Sequence, residues 1–139
     1  MRYKYTSYYP RRSKVPIQRR PLVEVTLYQG SRQAKTSALV DSGADYCVFN
    51  VAYARLLHID LASCKTTRMQ GVSGVPMNTY TTTLAVAAEG LSTVQVPVMF
   101  VDSPGVDALI GQVGFFDQHR VSFDRGADTF EIVAKGSSK

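Results

Sequence analysis

Short runs of alternating apolar and polar residues, separated by glycine-bearing turns, set the limits on what this 139-residue chain can fold into. Pro21 to Leu27 alternates around Glu24 and Thr26, and Gln29-Gly30-Ser31 turns the chain. Ala34 to Val40 predicts a second strand, and Val48-Phe49 resumes the apolar run. Lys65 to Met69 and Met77 to Ala88 flank Gln70-Gly71-Val72-Ser73-Gly74-Val75, which predicts a β-hairpin with a glycine-punctuated tip. Thr93 to Val101 follows Glu89-Gly90, and Pro97 inside it predicts an edge strand or a bulge. Ser103-Pro104-Gly105 turns into the apolar run Val106 to Gly111 and a short segment, Gln112 to Phe116. Arg120 to Asp124 and Thr129 to Val133 read as strands around Arg125-Gly126-Ala127. Helical spacing occurs in Val51 to Ile59, with Asn50 as its N-cap. The expected architecture is mainly β, a closed or nearly closed sheet with one or two short helices.

This length suits a single domain with a real core, and 45% hydrophobic with 19% charged residues is ordinary globular composition. No apolar run approaches a membrane span or a secretory leader, so the chain reads as soluble and cytoplasmic. Its net charge of +5 is unevenly placed. The first twenty residues hold seven Lys and Arg and no acid; the remainder is slightly acidic at −2. The high pI therefore belongs to a basic, tyrosine-rich segment, which weakens any case for a nucleic-acid-binding domain. Residues 1–20 read as a flexible arm, 21–134 as the folded domain and 135–139 as a flexible tail. Contact of the arm with nucleic acid or a membrane is open, and no residue pattern selects it. Cys47, Cys64 and His58 lack metal-ligand spacing, so no metal and no cofactor are expected.

The chemistry concentrates in Leu39-Val40-Asp41-Ser42-Gly43-Ala44-Asp45. An apolar strand delivers a carboxylate into a setting where charge is costly unless hydrogen-bonded. A hydroxyl residue follows, then a glycine that admits another backbone or a ligand. Asp-Ser-Gly by itself is common turn chemistry. Val72 keeps an apolar residue between two glycines at the hairpin tip, a pattern that suits a lid over a ligand.

Three stretches together resemble the retropepsins, the single-lobed aspartic proteases. Leu39 to Asp45 is similar to their catalytic signature, with Ser42 where many members have Thr. Gly71-Val72-Ser73-Gly74-Val75 resembles their glycine-rich flap, and Ala108-Leu109-Ile110-Gly111 their second apolar-apolar-glycine element. Val121-Ser122-Phe123-Asp124 resembles the strand that follows a short helix there, and the likeness covers residues 21–130. It implies a closed acid-protease β-barrel with a flap hairpin and the hydrolysis of peptide bonds in a protein or peptide substrate. Asp41 would be catalytic. Ser42 would lock the loop to its partner, with Gly43 as loop support. Gly43, Ala44, Asp45, Val72, Ser73 and Gly74 would bind substrate. The pocket would depend on which way Tyr46, Val48, Val75 and Ile110 face. Gln112 departs from the family, whose viral members commonly place Arg there to pair with the second acid.

The mechanism implied needs two carboxylates sharing one proton, and this chain supplies one such aspartate. Asp124-Arg125-Gly126-Ala127 comes nearest to a second, but Arg replaces the hydroxyl residue. An active enzyme would therefore be a homodimer. The competing readings are a catalytically inactive dimerisation or peptide-binding module of the same fold and, more weakly, a nucleic-acid-binding barrel.

Overall fold

The computed structural model describes residues 1–8, 18–70, 74 and 76–136. Among the described residues twelve strands occur in chain order: β1 Arg2–Lys4, β2 Thr6–Tyr8, β3 Gln18–Arg20, β4 Leu22–Gln29, β5 Arg32–Val40, β6 Cys47–Asn50, β7 Lys65–Gln70, β8 Pro76–Ala88, β9 Val94–Val101, β10 Ala108–Ile110, β11 His119–Asp124 and β12 Thr129–Ala134. One α-helix, α1, spans Val51–Leu56. Among the described residues no helix is long and apolar enough to cross a membrane.

Six strands close on themselves. The order β4, β5, β10, β6, β9, β8 returns to β4 because Val25 to Tyr28 pair with Ala88 to Ala85. Closure removes the open edges that would otherwise invite unwanted pairing. β7 continues the sheet outward from β8 as the expected hairpin, and Gln70 pairing with Pro76 leaves 71–75 as its tip. Alternation sends Val23, Val25, Leu27, Ala38, Val40, Phe49, Leu84, Val86, Val96, Val98, Phe100 and Ile110 into the core.

Two pairings are parallel, β5 with β10 and β6 with β9. These set the ends of β5 and β10 side by side, which is the position of the Asp41 loop. The link from β6 to β10 is held by one side chain. Asn50 accepts from the Ala52 amide at 3.0 Å, capping α1, and donates to the carbonyl oxygens of Ser103 and Val106, each at 2.8 Å. The helix stops at Leu56, earlier than the apolar spacing predicts. His58 adopts φ 55° and Ile59 N–H bonds back to Ala54 O at 2.9 Å, wrapping the chain out of the helix.

Two expectations change. β9 is an interior strand, lying between β8 and β6. Pro97 pairs with Thr83 of β8, but the β6 ladder begins only at Val98. The missing N–H therefore falls where no second strand stands, and the Gly114 turn packs there instead. The second change concerns the arm. Arg2–Lys4 is a strand paired with β12, and the Met1 amino group donates to Ile132 O at 2.8 Å. Tyr3 stacks on Phe130 with ring centroids 5.1 Å apart, and its hydroxyl donates to Glu89 O at 2.6 Å. Arg19 pairs with Asp128 at 3.2 Å, and β2 pairs with β3. Tyr3, with its hydroxyl bonded, and Tyr5, whose ring meets Phe130 edge-on at 5.8 Å, are packing groups. Residues 9–17 and 137–139 lie outside the described residues.

Candidate active site

Val40, buried at the end of β5, donates its N–H to Pro21 O at 2.9 Å. The next amide, that of Asp41, donates to Ile110 O at 2.9 Å. This last bond extends the parallel β5–β10 ladder and fixes where the carboxylate leaves the sheet. The turn that follows is closed twice. Asp41 Oδ1 accepts from Gly43 N at 2.9 Å, and Asp41 O accepts from Ala44 N at 3.2 Å. A Cβ on Gly43 would stand 3.2 Å from Asp41 Oδ1, so glycine leaves the carboxylate uncrowded. Asp41 is half-buried, while Ser42, Gly43 and Asp45 are exposed.

The strand that ends in Gly111 laces this loop in place. Gln112 N–H donates to Ala44 O at 2.9 Å and Val113 N–H to Asp45 O at 2.7 Å. The Gln112 side chain adds a third bond, Nε2 to Ser42 O at 2.8 Å. Gly111 makes the close approach possible. A Cβ there would lie 2.4 Å from Tyr46 O and 2.7 Å from Ala44 O, closer than atoms pack. The Cys47 thiol is wholly buried beside this crossing and faces the Gly111 amide. Burial pushes its pKa up to about 11, the amide pulling the other way. It is an apolar filler, not a nucleophile.

The site residues predicted from sequence, Asp41, Ser42, Gly43, Ala44 and Asp45, thus form one turn, half-buried at Asp41 and Ala44 and exposed at the other three. Among the described residues the Ser42 hydroxyl and the Asp45 carboxylate have no partner within the chain. Gly74 is exposed at the β7–β8 tip with φ 78°. Val72, Ser73 and Val75 lie outside the described residues. Of the pocket-shaping candidates, Tyr46 is 40% exposed and Val48 half-buried, but Ile110 is fully buried in the core. The outer wall comes from the half-buried Leu39 and Leu109, which sequence reasoning passed over. Leu39 stands two residues before Asp41, so strand alternation puts both on one face, and Leu109 is its register partner. Gln112, which departs from the Arg of the viral members, does not take that Arg's place beside Asp45; it spends its side-chain amide on Ser42 O. Among the described residues, no group of three His, Cys, Asp or Glu side chains gathers that could hold a metal ion.

A closed six-strand barrel with an Asp-Ser-Gly turn laced to an apolar-apolar-glycine strand defines the single-lobed acid-protease class. The aspartyl protease family model matches residues 23–113, and the chain belongs to that family, within the retropepsin-like clan. A search of curated proteins gave no match. Family membership points to a protease hydrolase in general terms.

Proposed function

We propose that the protein is an aspartic endopeptidase whose catalytic centre forms when two copies bring their Asp41 carboxyls together on a two-fold axis. One carboxylate takes a proton from water as the water oxygen attacks the scissile carbonyl carbon. The other, protonated, gives its proton to the carbonyl oxygen. The tetrahedral diol then collapses. The C–N bond breaks, the amine leaves with a proton returned through the pair, and both carboxyls regain their starting states. Two acids at hydrogen-bonding reach titrate as a unit, so cleavage should favour mildly acidic pH.

The observation that carries this reading is the unfinished loop. Asp41 stands half-exposed on a turn made rigid by Ile110, Gln112 and Val113, while the Ser42 hydroxyl and the Asp45 carboxylate have no partner among the described residues. Each is a group whose role is completed by something outside the chain. In this scheme Ser42 bonds the partner's loop, and Gly43, Ala44 and Asp45 bond the substrate main chain. The β7–β8 hairpin, with Val72, Ser73 and Gly74, closes over the substrate. Tyr46 and Val113, 40% and 38% exposed beside the turn, are apolar surface that a second copy or a substrate would cover.

The test is sedimentation and cleavage of an unstructured casein-type substrate under one set of conditions, with and without a statine-type transition-state mimic. Specific activity rising with protein concentration alongside a dimer, and inhibition by the mimic, is the expected result. Cleavage by a species that sediments only as monomer would remove the shared centre. A dimer that binds the mimic and never cleaves would make the protein a peptide-binding module.

A further inference from the structure

Beside the Asp41 turn, on the outer face of the barrel, opens a cavity of about 580 Å³. Its floor is a row of three leucines. Leu22 pairs with Leu39 and Leu39 with Leu109, so the three side chains stand abreast on one face. Asp41 continues that face two residues beyond Leu39. Two charged residues edge the floor, Arg20 and Asp107. The Asp107 carboxylate is already engaged, for its Oδ1 accepts the Tyr53 hydroxyl at 2.7 Å. Arg20 is not engaged in the same way. It is exposed, and among the described residues its only side-chain bond is to Gln18 Oε1 at 3.4 Å and no acid reaches it. The contrast with its neighbour is informative, because Arg19 is tied to Asp128 at 3.2 Å. Pro21 O, bonded to Val40 N, holds the Arg20–Leu22 corner against the strand that carries Asp41.

We propose that Arg20 is a specificity-determining residue. It selects peptides in which an apolar side chain seated on the leucine floor is followed or preceded by Asp or Glu. The floor has apolar area to cover, and the free guanidinium at its edge offers the planar fork that a carboxylate fits. This inference rests on the reading of the Asp41 face as a peptide site, and its test separates the two.

Decapeptides with a central apolar pair and Asp, Gln or Lys at each flanking position are measured two ways. Cleavage is followed with the wild-type protein, and binding by fluorescence anisotropy with the Asp41→Asn variant. The acidic series should be preferred about three- to tenfold at low salt, and the preference should shrink as salt screens the rim. Arg20→Glu should reverse it toward Lys, and Arg20→Lys should keep part of it. An unchanged flanking preference in Arg20→Glu overturns the assignment while leaving the peptidase intact. Absence of wild-type cleavage, with an Arg20-dependent acidic preference in binding, removes the hydrolytic reading and upholds the pocket.

Discussion

The Gln112 side-chain amide donates to the Ser42 carbonyl oxygen across 2.8 Å, joining the end of β10 to the middle of the Asp41 turn. With the two backbone bonds from Gln112 and Val113, it makes a ladder in which every residue from Ser42 to Asp45 except Gly43 is held by its carbonyl. Shortening this one side chain tests how much of the site depends on the lacing. Gln112→Ala removes an exposed hydrogen bond, about 1 kcal/mol of stability. Because the freed turn carries Asp41, kcat/KM should fall by about one order of magnitude or more, with KM little changed. Urea unfolding beside peptide kinetics separates the two effects; equal losses in both would mean that the bond serves stability alone.

Gly111 is required by close approach, not by an unusual φ. A methyl group there meets two backbone oxygens that belong to the loop itself and cannot rotate away. Gly111→Ala should lower stability by at least about 3 kcal/mol or prevent folding. A melting curve overlaying the wild type would contradict the crossing as described. Gly30→Ala, where nothing lies within 4 Å of the added carbon, serves as the comparison and should cost only the strain of its φ of 58°.

Asp41→Asn keeps the shape of the side chain and an acceptor for the Gly43 amide, so fold and assembly should persist. Cleavage should fall by about 10²–10⁴-fold or more, the scale of general acid–base catalysis. Mixing the variant with wild type gives the sharper result. If each centre takes one acid from each copy, excess variant should silence the wild type by forming mixed dimers. Activity that merely dilutes in proportion would mean each chain works alone.

Alkaline pH probes the core beneath the loop. Burial raises the Cys47 pKa from 9.0 to about 11, so the folded state holds the thiol proton more tightly than the unfolded chain does. That stabilisation is complete below pH 9 and is lost as pH rises toward 11, about 3 kcal/mol for a shift of that size. Tyr3, pushed up to about 12 by burial and then by Glu89, adds a loss of the same sign from pH 10 upward. Cys47→Ala should be less stable at pH 8 and should lose less between pH 8 and pH 10.5 than the wild type. Denaturant midpoints at the two pH values decide it, and parallel losses would place the titration elsewhere.

Local patterns determined the strands, the Asn50 cap and the Asp-Ser-Gly turn. Each depends on alternation, capping or turn chemistry within a few neighbouring residues, and the structure has all of them. What the chain could not reveal in one dimension is which segments meet. Pro97 looked like an edge because a proline gives up its donor. It sits in an interior strand because the β6 ladder happens to begin one residue later. The first strand was hidden for a related reason: three residues that pair with a partner more than a hundred positions away carry no period of their own. The same holds at the site. Asp41 could be named from its own neighbours. The exchange of Ile110 for Leu109 on the outer wall, the grip of Gln112 on Ser42 and the Leu39–Leu109 step of the leucine floor all come from parallel pairing of β5 with β10. Such pairing is a long-range choice set by how the barrel closes over its core, and no window of sequence contains both partners.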